Sequence, residues 1–307
     1  MRTVTIFGGS GFVGRYVVQK FAEKGDRIRI AVRNPVAAQF LKPLGEVGQI
    51  TPVQVFLSSS ESLIQVMQGS DVVINLVGIL YEKRSQTFEA LHVEGARNIA
   101  ETAFGLGIPT LLHMSALGAN KNSSSRYALT KARGEEMVLK YFPEATLFRP
   151  SVIFGKEDSF LNRFAQMALL SPFLPLIGGG HTRFQPIYVG DVAECFLNAS
   201  FLKDAKGNTY ELGGPSIYSF KALMVYLLQT IHRTRILLPL PFSLAKMIGA
   251  ITQFLPTPPL TPDQVELLKM DTVLSRQGLT GENLGVQSKA LEAIAPLYLA
   301  RYRPRGG

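Results

Sequence analysis

Apolar positions in the first half of the chain switch repeatedly between two spacings. Arg2 to Phe7 alternates and is rich in β-branched residues, which predicts a buried strand. Val13, Val17, Val18 and Phe21 then recur at helical spacing. The same exchange continues along the chain. Strands are predicted over Arg27 to Val32, Ile50 to Phe56, Asp71 to Val77, Pro109 to Met114 and Ala145 to Arg149. Helices are predicted over Val36 to Leu44, Glu61 to Gln68, Phe88 to Leu106 and Tyr127 to Tyr141. Such repeated βα winding predicts an α/β fold, a Rossmann-like doubly wound parallel sheet covered on both faces.

After Pro150 the pattern loses its regularity. Helices are expected over Phe160 to Leu170, Asp191 to Ser200, Tyr218 to Ile231, Phe242 to Phe254, Asp263 to Met270 and Ser288 to Ala300. Ser171 to Gly180 reads as a loop, Phe184 to Tyr188 and Thr209 to Leu212 as strands, and Pro256 to Pro262 as a rigid connector. The chain therefore divides into a dinucleotide-binding domain over 1–150 and a smaller, mostly helical lobe over 151–307. That lobe is interleaved with the end of the sheet and expected over the carboxyl ends of the strands.

Between the first strand and first helix lie Gly8, Gly9, Ser10, Gly11, Phe12, Val13 and Gly14. Glycines at three-residue spacing between strand and helix suit a pyrophosphate. Gly8 permits the tight turn, Gly11 lets the backbone approach the phosphates, and Gly14 lets helix and strand pack closely. The second strand ends in Arg33 with no carboxylate nearby, so NADP(H) is preferred over NAD(H), the second choice. Val77 and Gly78 end the fourth strand, where a missing side chain lets a ribose lie against the backbone. Ser115 follows the fifth strand, and Tyr127 and Lys131 share one helix face four residues apart. A lysine ammonium beside a phenol would lower the phenol pKa and make it a usable acid or base.

Composition narrows the partners. A hydrophobic fraction of 46% over 307 residues gives a substantial core rather than a disordered chain. The single cysteine, Cys195, excludes an intramolecular disulfide and reads as a buried thiol. The four histidines show no ligand spacing, which argues against a metal site. A net charge of +9 favours acidic partners. Nucleic acid is disfavoured, because no recognised binding motif and no interleaving of basic and stacking aromatic residues accompanies the charge. Ile236 to Leu255 is the most apolar region, but Pro239, Pro241 and Lys246 interrupt it, so no transmembrane segment is expected. With a strand starting at residue 2, no leader is expected either, and a bacterial cytoplasm is the expected location.

The glycine pattern, Ser115, Tyr127-x-x-x-Lys131, Arg149-Pro150 before Phe154-Gly155, and Pro186 to Ala193 resemble the extended or atypical short-chain dehydrogenase/reductase superfamily. Ser123 to Tyr127, Lys131 to Glu135, Phe142 to Ala145 and Phe154 to Asn162 are more specific. They resemble the NADPH-binding accessory subunits of respiratory complex I and their bacterial relatives. Similarity continues through Pro215-Ser216 and Asp263 to Lys269, and so covers nearly the whole chain. The resemblance implies tight NADPH binding in a structural or assembly role, beside complex I subunits near the membrane surface. That would place the protein peripherally on the cytoplasmic face of the inner membrane. It also implies that Gly8, Gly11, Gly14 and Arg33 hold the nucleotide, that Pro150 lies beside it, and that Ser115, Tyr127 and Lys131 border the nicotinamide. Phe56 stands where many of the wider superfamily have an Asp near the adenine. The alternative is an active NADP-dependent oxidoreductase or epimerase/dehydratase, with Tyr127 as acid/base, Lys131 tuning it and Ser115 orienting the substrate.

Overall fold

The computed structural model describes residues 1–84 and 86–304. In the first half, strands β1 (Thr3–Phe7), β2 (Arg27–Val32), β3 (Ile50–Gln54), β4 (Val72–Asn75), β5 (Thr110–Met114) and β6 (Thr146–Pro150) alternate with helices. The helices are α1 (Phe12–Glu23), α2 (Ser60–Met67), α3 (Gly95–Gly105) and α4 (Arg126–Tyr141). The second half contains β7 (Ile153–Phe154), α5 (Leu161–Leu170), β8 (Phe173–Ile177), β9 (Arg183–Phe184), β10 (Ile187–Tyr188), α6 (Val189–Ala199) and β11 (Thr209–Leu212). It ends with β12 (Tyr218–Ser219), α7 (Phe220–Thr230), β13 (Ile236–Leu240), α8 (Phe242–Thr252), α9 (Pro262–Leu267), β14 (Leu279–Thr280) and α10 (Leu291–Leu299).

Among the described residues, eight strands form one parallel sheet in the order β14-β11-β6-β5-β4-β1-β2-β3. The chain winds outward from β1 through β2 to β3, then returns to lay β4 on the other side of β1. That reversal is a switch point, and it opens a cleft at the carboxyl ends of β1 and β4. β4 is buried throughout, because α helices cover both faces of a parallel sheet. One apolar cluster packs α1 and α6 on one face, and a second packs α2, α3 and α4 on the other.

A third cluster belongs to the lobe and gathers Phe154, Phe184, Phe220 and α5, α7 and α10. The lobe is not confined to its own half, since β11 and β14 extend the main sheet beyond β6. Three sequence expectations change here. Ser171 to Gly180 is not all loop, because β8 pairs in parallel with β13, within a region to which no strand was assigned. Pro175 and Pro239 obscured both strands. Proline lacks a ladder donor, and a separate two-stranded ribbon has only edge strands, where that loss is tolerated. Phe184 to Tyr188 is broken at Gln185 and Pro186 into β9 and β10, which pair with different partners. The helix expected from Phe88 opens with a wider turn over Glu89–Glu94 before α3 begins.

Candidate functional site

The glycine turn lies at the switch point. Gly8 has φ +76°, and a Cβ there would lie 2.9 Å from the carbonyl carbon of Leu76 and 3.1 Å from the nitrogen of Val77. The turn therefore presses directly on the end of β4. Gly11 donates its N–H to the carbonyl oxygen of Gly8 at 3.0 Å, and is otherwise open to solvent. A Cβ on Gly14 would overlap the Gly8 carbonyl and the Gly9 backbone, so only glycine lets α1 start this close to the turn. Gly9 packs against Ile30 of β2 in the same way. No acidic residue occupies the first turn of α1, and no side chain caps it. Its first N–H groups remain available to an anion. Ser10 is half-buried at the tip of the turn. The side chains of Phe12 and Val13 turn inward, Phe12 toward Gly155 and Val13 into the core.

Arg33 is exposed at the end of β2, and among the described residues no carboxylate pairs with it. A second arginine, Arg15, was passed over in the sequence. It follows Gly14 on α1, its guanidinium lies 5.3 Å from the Phe40 ring, and its buried Nε has no partner. Its one ion pair, to Glu157, is long at 3.6 Å. An Arg immediately after the third glycine was the available signal.

Beyond the turn, the ends of β4 and β5 and the start of α4 converge. Val77 donates its N–H to Asn75 Oδ1 at 3.0 Å. Gly78 lies against Lys131 and His92, whose Nζ and Nε2 would be 3.6 and 3.8 Å from a Cβ there. Lys131 is buried and donates to the Met114 carbonyl at 2.8 Å. Burial holds its ammonium down to about 8, against a smaller opposing pull from Glu135. Ser115 is buried beside Met114, and its Oγ has no hydrogen-bond partner. The Tyr127 ring stands edge-on to His92 at 5.4 Å and to Phe88 at 6.0 Å. Pro150 is buried at the end of β6, where its carbonyl accepts from Leu117 at 2.9 Å.

The lowering expected of Lys131 does not prevail at Tyr127. The phenol is pushed up to about 12, first by burial and then by the charge of Asp263. Lys131 instead points its ammonium at a backbone carbonyl. Asp263, on α9, caps the start of α4. Its carboxylate accepts from Ser125 Oγ at 3.0 Å, from the Arg126 N–H at 2.6 Å and from the Tyr127 N–H at 3.1 Å. Glu266, one turn on, accepts from Ser124 Oγ at 3.1 Å and pairs with Lys246 and Lys269. α9 is thus strapped across residues 123–127. Outside the strap lies an open cavity of about 310 Å³ between Tyr81, Phe88, Arg126 and Gln253.

Two histidines complete the region, and no motif in the sequence singled them out. His92 Nε2 accepts from the Ile79 N–H at 3.1 Å, which places its proton on Nδ1, facing Thr130 Oγ1. Asn75 Oδ1 is taken by Val77, so its amide donates to His113 Nδ1 at 3.1 Å. His113 then carries its proton on Nε2, which is buried without a partner. Burial, followed by the Lys131 charge, pushes His92 down to about 2 and His113 to about 3, so both are neutral donors or acceptors. His113 Nε2, on β5, and Ser115 Oγ, immediately past its end, are the only side-chain atoms besides Arg15 Nε left buried and unpaired among the described residues.

A switch-point cleft, an uncapped helix start and orphaned polar groups at its far end fit a dinucleotide. Residues 4–213 match the model of the NAD dependent epimerase/dehydratase family. The chain belongs to that family. It is 37% identical over 98% of its length to the mitochondrial NADH dehydrogenase [ubiquinone] 1 alpha subcomplex subunit 9 of Arabidopsis thaliana, of which it covers 78%. The Mus musculus protein of the same name is 38% identical over 97% of this chain and 80% of its own. A solved NADPH-dependent quinone oxidoreductase from Escherichia coli has the same fold, with a TM-score of 0.74, 20% identity, and 96% and 99% of the two chains covered.

Proposed function

We propose that this protein holds NADP(H) as a structural or assembly component of a complex I-type respiratory enzyme, placed peripherally at the membrane. The near full-length similarity to the alpha subcomplex subunits supports the setting. Among the described residues no helix is long and apolar enough to cross a membrane, so attachment would run through partners or the surface.

The observation that carries a holding role is the strap over Tyr127. Burial, and after it the charge of Asp263, raises the phenol that an acid/base mechanism would need lowered, and Lys131 is turned to Met114. Within the cleft, the α1 N-terminus and Gly11 would take the pyrophosphate. Gly78, Lys131 and Tyr127 would line the ribose and nicotinamide. Arg33 would take the 2′-phosphate, with Arg15 on α1 as a second candidate. Bound nucleotide would then stabilise the native state by mass action. The orphaned Ser115 Oγ and His113 Nε2 favour a second reading, reduction or epimerisation of a carbonyl ligand, in which the strap opens.

Titration of the purified protein with NADPH and NADH tests the first reading. NADPH binds more tightly, and Arg33→Ala weakens NADPH by about tenfold or more while leaving NADH unchanged. Equal affinities for the two nucleotides overturn the 2′-phosphate assignment. Turnover of a carbonyl substrate by the isolated protein overturns the holding role.

A further inference from the structure

α8 is amphipathic in the reverse sense. Its buried positions are the small residues Ala245 and Gly249, and Gly249 packs against the backbone of Thr261 and Pro262. Its large residues Leu244, Met247, Ile248 and Ile251 recur at helical spacing and face outward. Ile251 is 70% exposed and Met247 57%, and Phe254, just past the helix, is 84% exposed, with Leu255 beside it. A surface helix normally buries its large apolar side chains and exposes its small or polar ones. An exposed run of this size marks an interaction site.

The segments flanking it are basic, although the neighbouring α9 carries Asp263 and Glu266, and Glu266 pairs with Lys246. Residues 159–190 and 212–262, which build most of the lobe, contain no Asp or Glu. They contain six basic residues, of which Arg183 pairs with Asp271 and Lys246 with Glu266, while Arg163, Lys221, Arg233 and Arg235 have no carboxylate partner among the described residues. Arg163 donates to the carbonyls of Pro258 and Pro259, just beyond α8, Arg235 opens the strand that leads into it, and Lys246 lies on the helix itself. The apolar residues protrude from a convex helix and its exit, rather than lining a groove that would receive a partner's side chains.

We propose that α8 and the Phe254-Leu255 turn insert directly into the interface of an anionic lipid bilayer, with the basic, carboxylate-free segments 159–190 and 212–262 facing the headgroups. Apolar side chains supply the burial, and the basic residues supply a salt-sensitive attraction of roughly fivefold for each Lys or Arg brought near the surface. Such contact deepens the peripheral membrane placement proposed above, on which it rests, by naming the surface and its lipid partner, and it does not depend on nucleotide binding.

Vesicle flotation of the full chain tests it, with phosphatidylcholine alone or with phosphatidylglycerol added. The protein floats with the anionic vesicles, much less with the neutral ones, and less again at raised salt. The double variant Ile251→Glu, Phe254→Glu lowers partitioning by about tenfold or more, with unchanged NADPH affinity and melting temperature, because both side chains are exposed. No flotation with anionic vesicles, or equal flotation of the double variant, overturns the proposal. Recovery of complex I subunits by a protein that ignores anionic vesicles also overturns it, and assigns the face to an acidic protein surface. Loss of NADPH binding in the unmodified chain would instead sink the nucleotide reading and leave the vesicle result standing.

Discussion

Asp263 ties the far end of the chain to the start of α4, and replacing it with Asn isolates that tie. In the native protein one carboxylate oxygen accepts from Ser125 Oγ and the Tyr127 N–H, and the other from the Arg126 N–H. An amide keeps one acceptor and turns an NH₂ donor toward a group that also donates. It also removes a negative charge from a helix N-terminus. A charged hydrogen bond contributes about 1.5–3 kcal/mol when buried, and a charge at a helix end about 0.3–1 kcal/mol. Arg126 is exposed and water can replace part of its bond, so Asp263→Asn should cost about 2 kcal/mol. Two measurements read this. Hydrogen exchange of the amides at 125–128 should accelerate about thirtyfold, the equivalent of about 2 kcal/mol. Global melting should fall by about 3 °C. The Tyr127 phenol, pushed up to about 12 in the native protein, should titrate at lower pH once Asp263 is neutral. Unchanged exchange and melting would refute the claim that the strap holds the start of α4.

Gly14→Ala should abolish nucleotide binding and destabilise the fold by about 3 kcal/mol or more, measured by denaturant unfolding, because its Cβ meets backbone that has no room to retreat. Burial holds His92 and His113 near 2 and 3, below the ordinary 6.5, so the unfolded chain binds protons that the folded chain refuses. Stability is then unaffected by these two above pH 6.5 and is lost as the pH falls below it, at up to about 1.4 kcal/mol per pH unit for each. His113→Gln should therefore flatten the acid limb of a stability-versus-pH curve between pH 6 and 4 relative to the native protein. Lys131, lowered to about 8, works in the opposite range: stability rises between pH 8 and 10.5, where only the unfolded chain is charged, and Lys131→Met removes that rise.

Much of the first half was legible because its information is local. A period of two bounded by turn residues makes β1 and β2 visible, and their order follows from the handed, short crossovers of βα winding. The glycine turn was legible for the same reason, since Gly11 and Gly14 answer steric demands made by Gly8 and Gly9, and Gly8 takes the positive φ of the turn itself, although the backbone it presses on belongs to β4. β8 and β13 were not, because Pro175 and Pro239 deny a ladder donor that their separate edge-strand ribbon does not require. Arg15 was missed although it adjoins the glycines, because its meaning depends on Phe40 and on a buried Nε that no local pattern shows.

By itself the sequence determined the α/β winding, the position of the dinucleotide turn, and the grouping of Ser115, Tyr127 and Lys131 near the same sheet end. Each depends on the period of apolar residues or on the stereochemistry of glycine, which neighbours in the chain settle. Only the tertiary structure decided the electrostatics of that group. Tyr127 and Lys131 share a helix face, yet Lys131 answers to Met114 and Tyr127 to Asp263, which lies 136 residues away. A phenol's proton affinity is set by what buries it and which charges surround it. Those neighbours come from α9, β5 and the turn at Gly78, and the chain's folding brings them together.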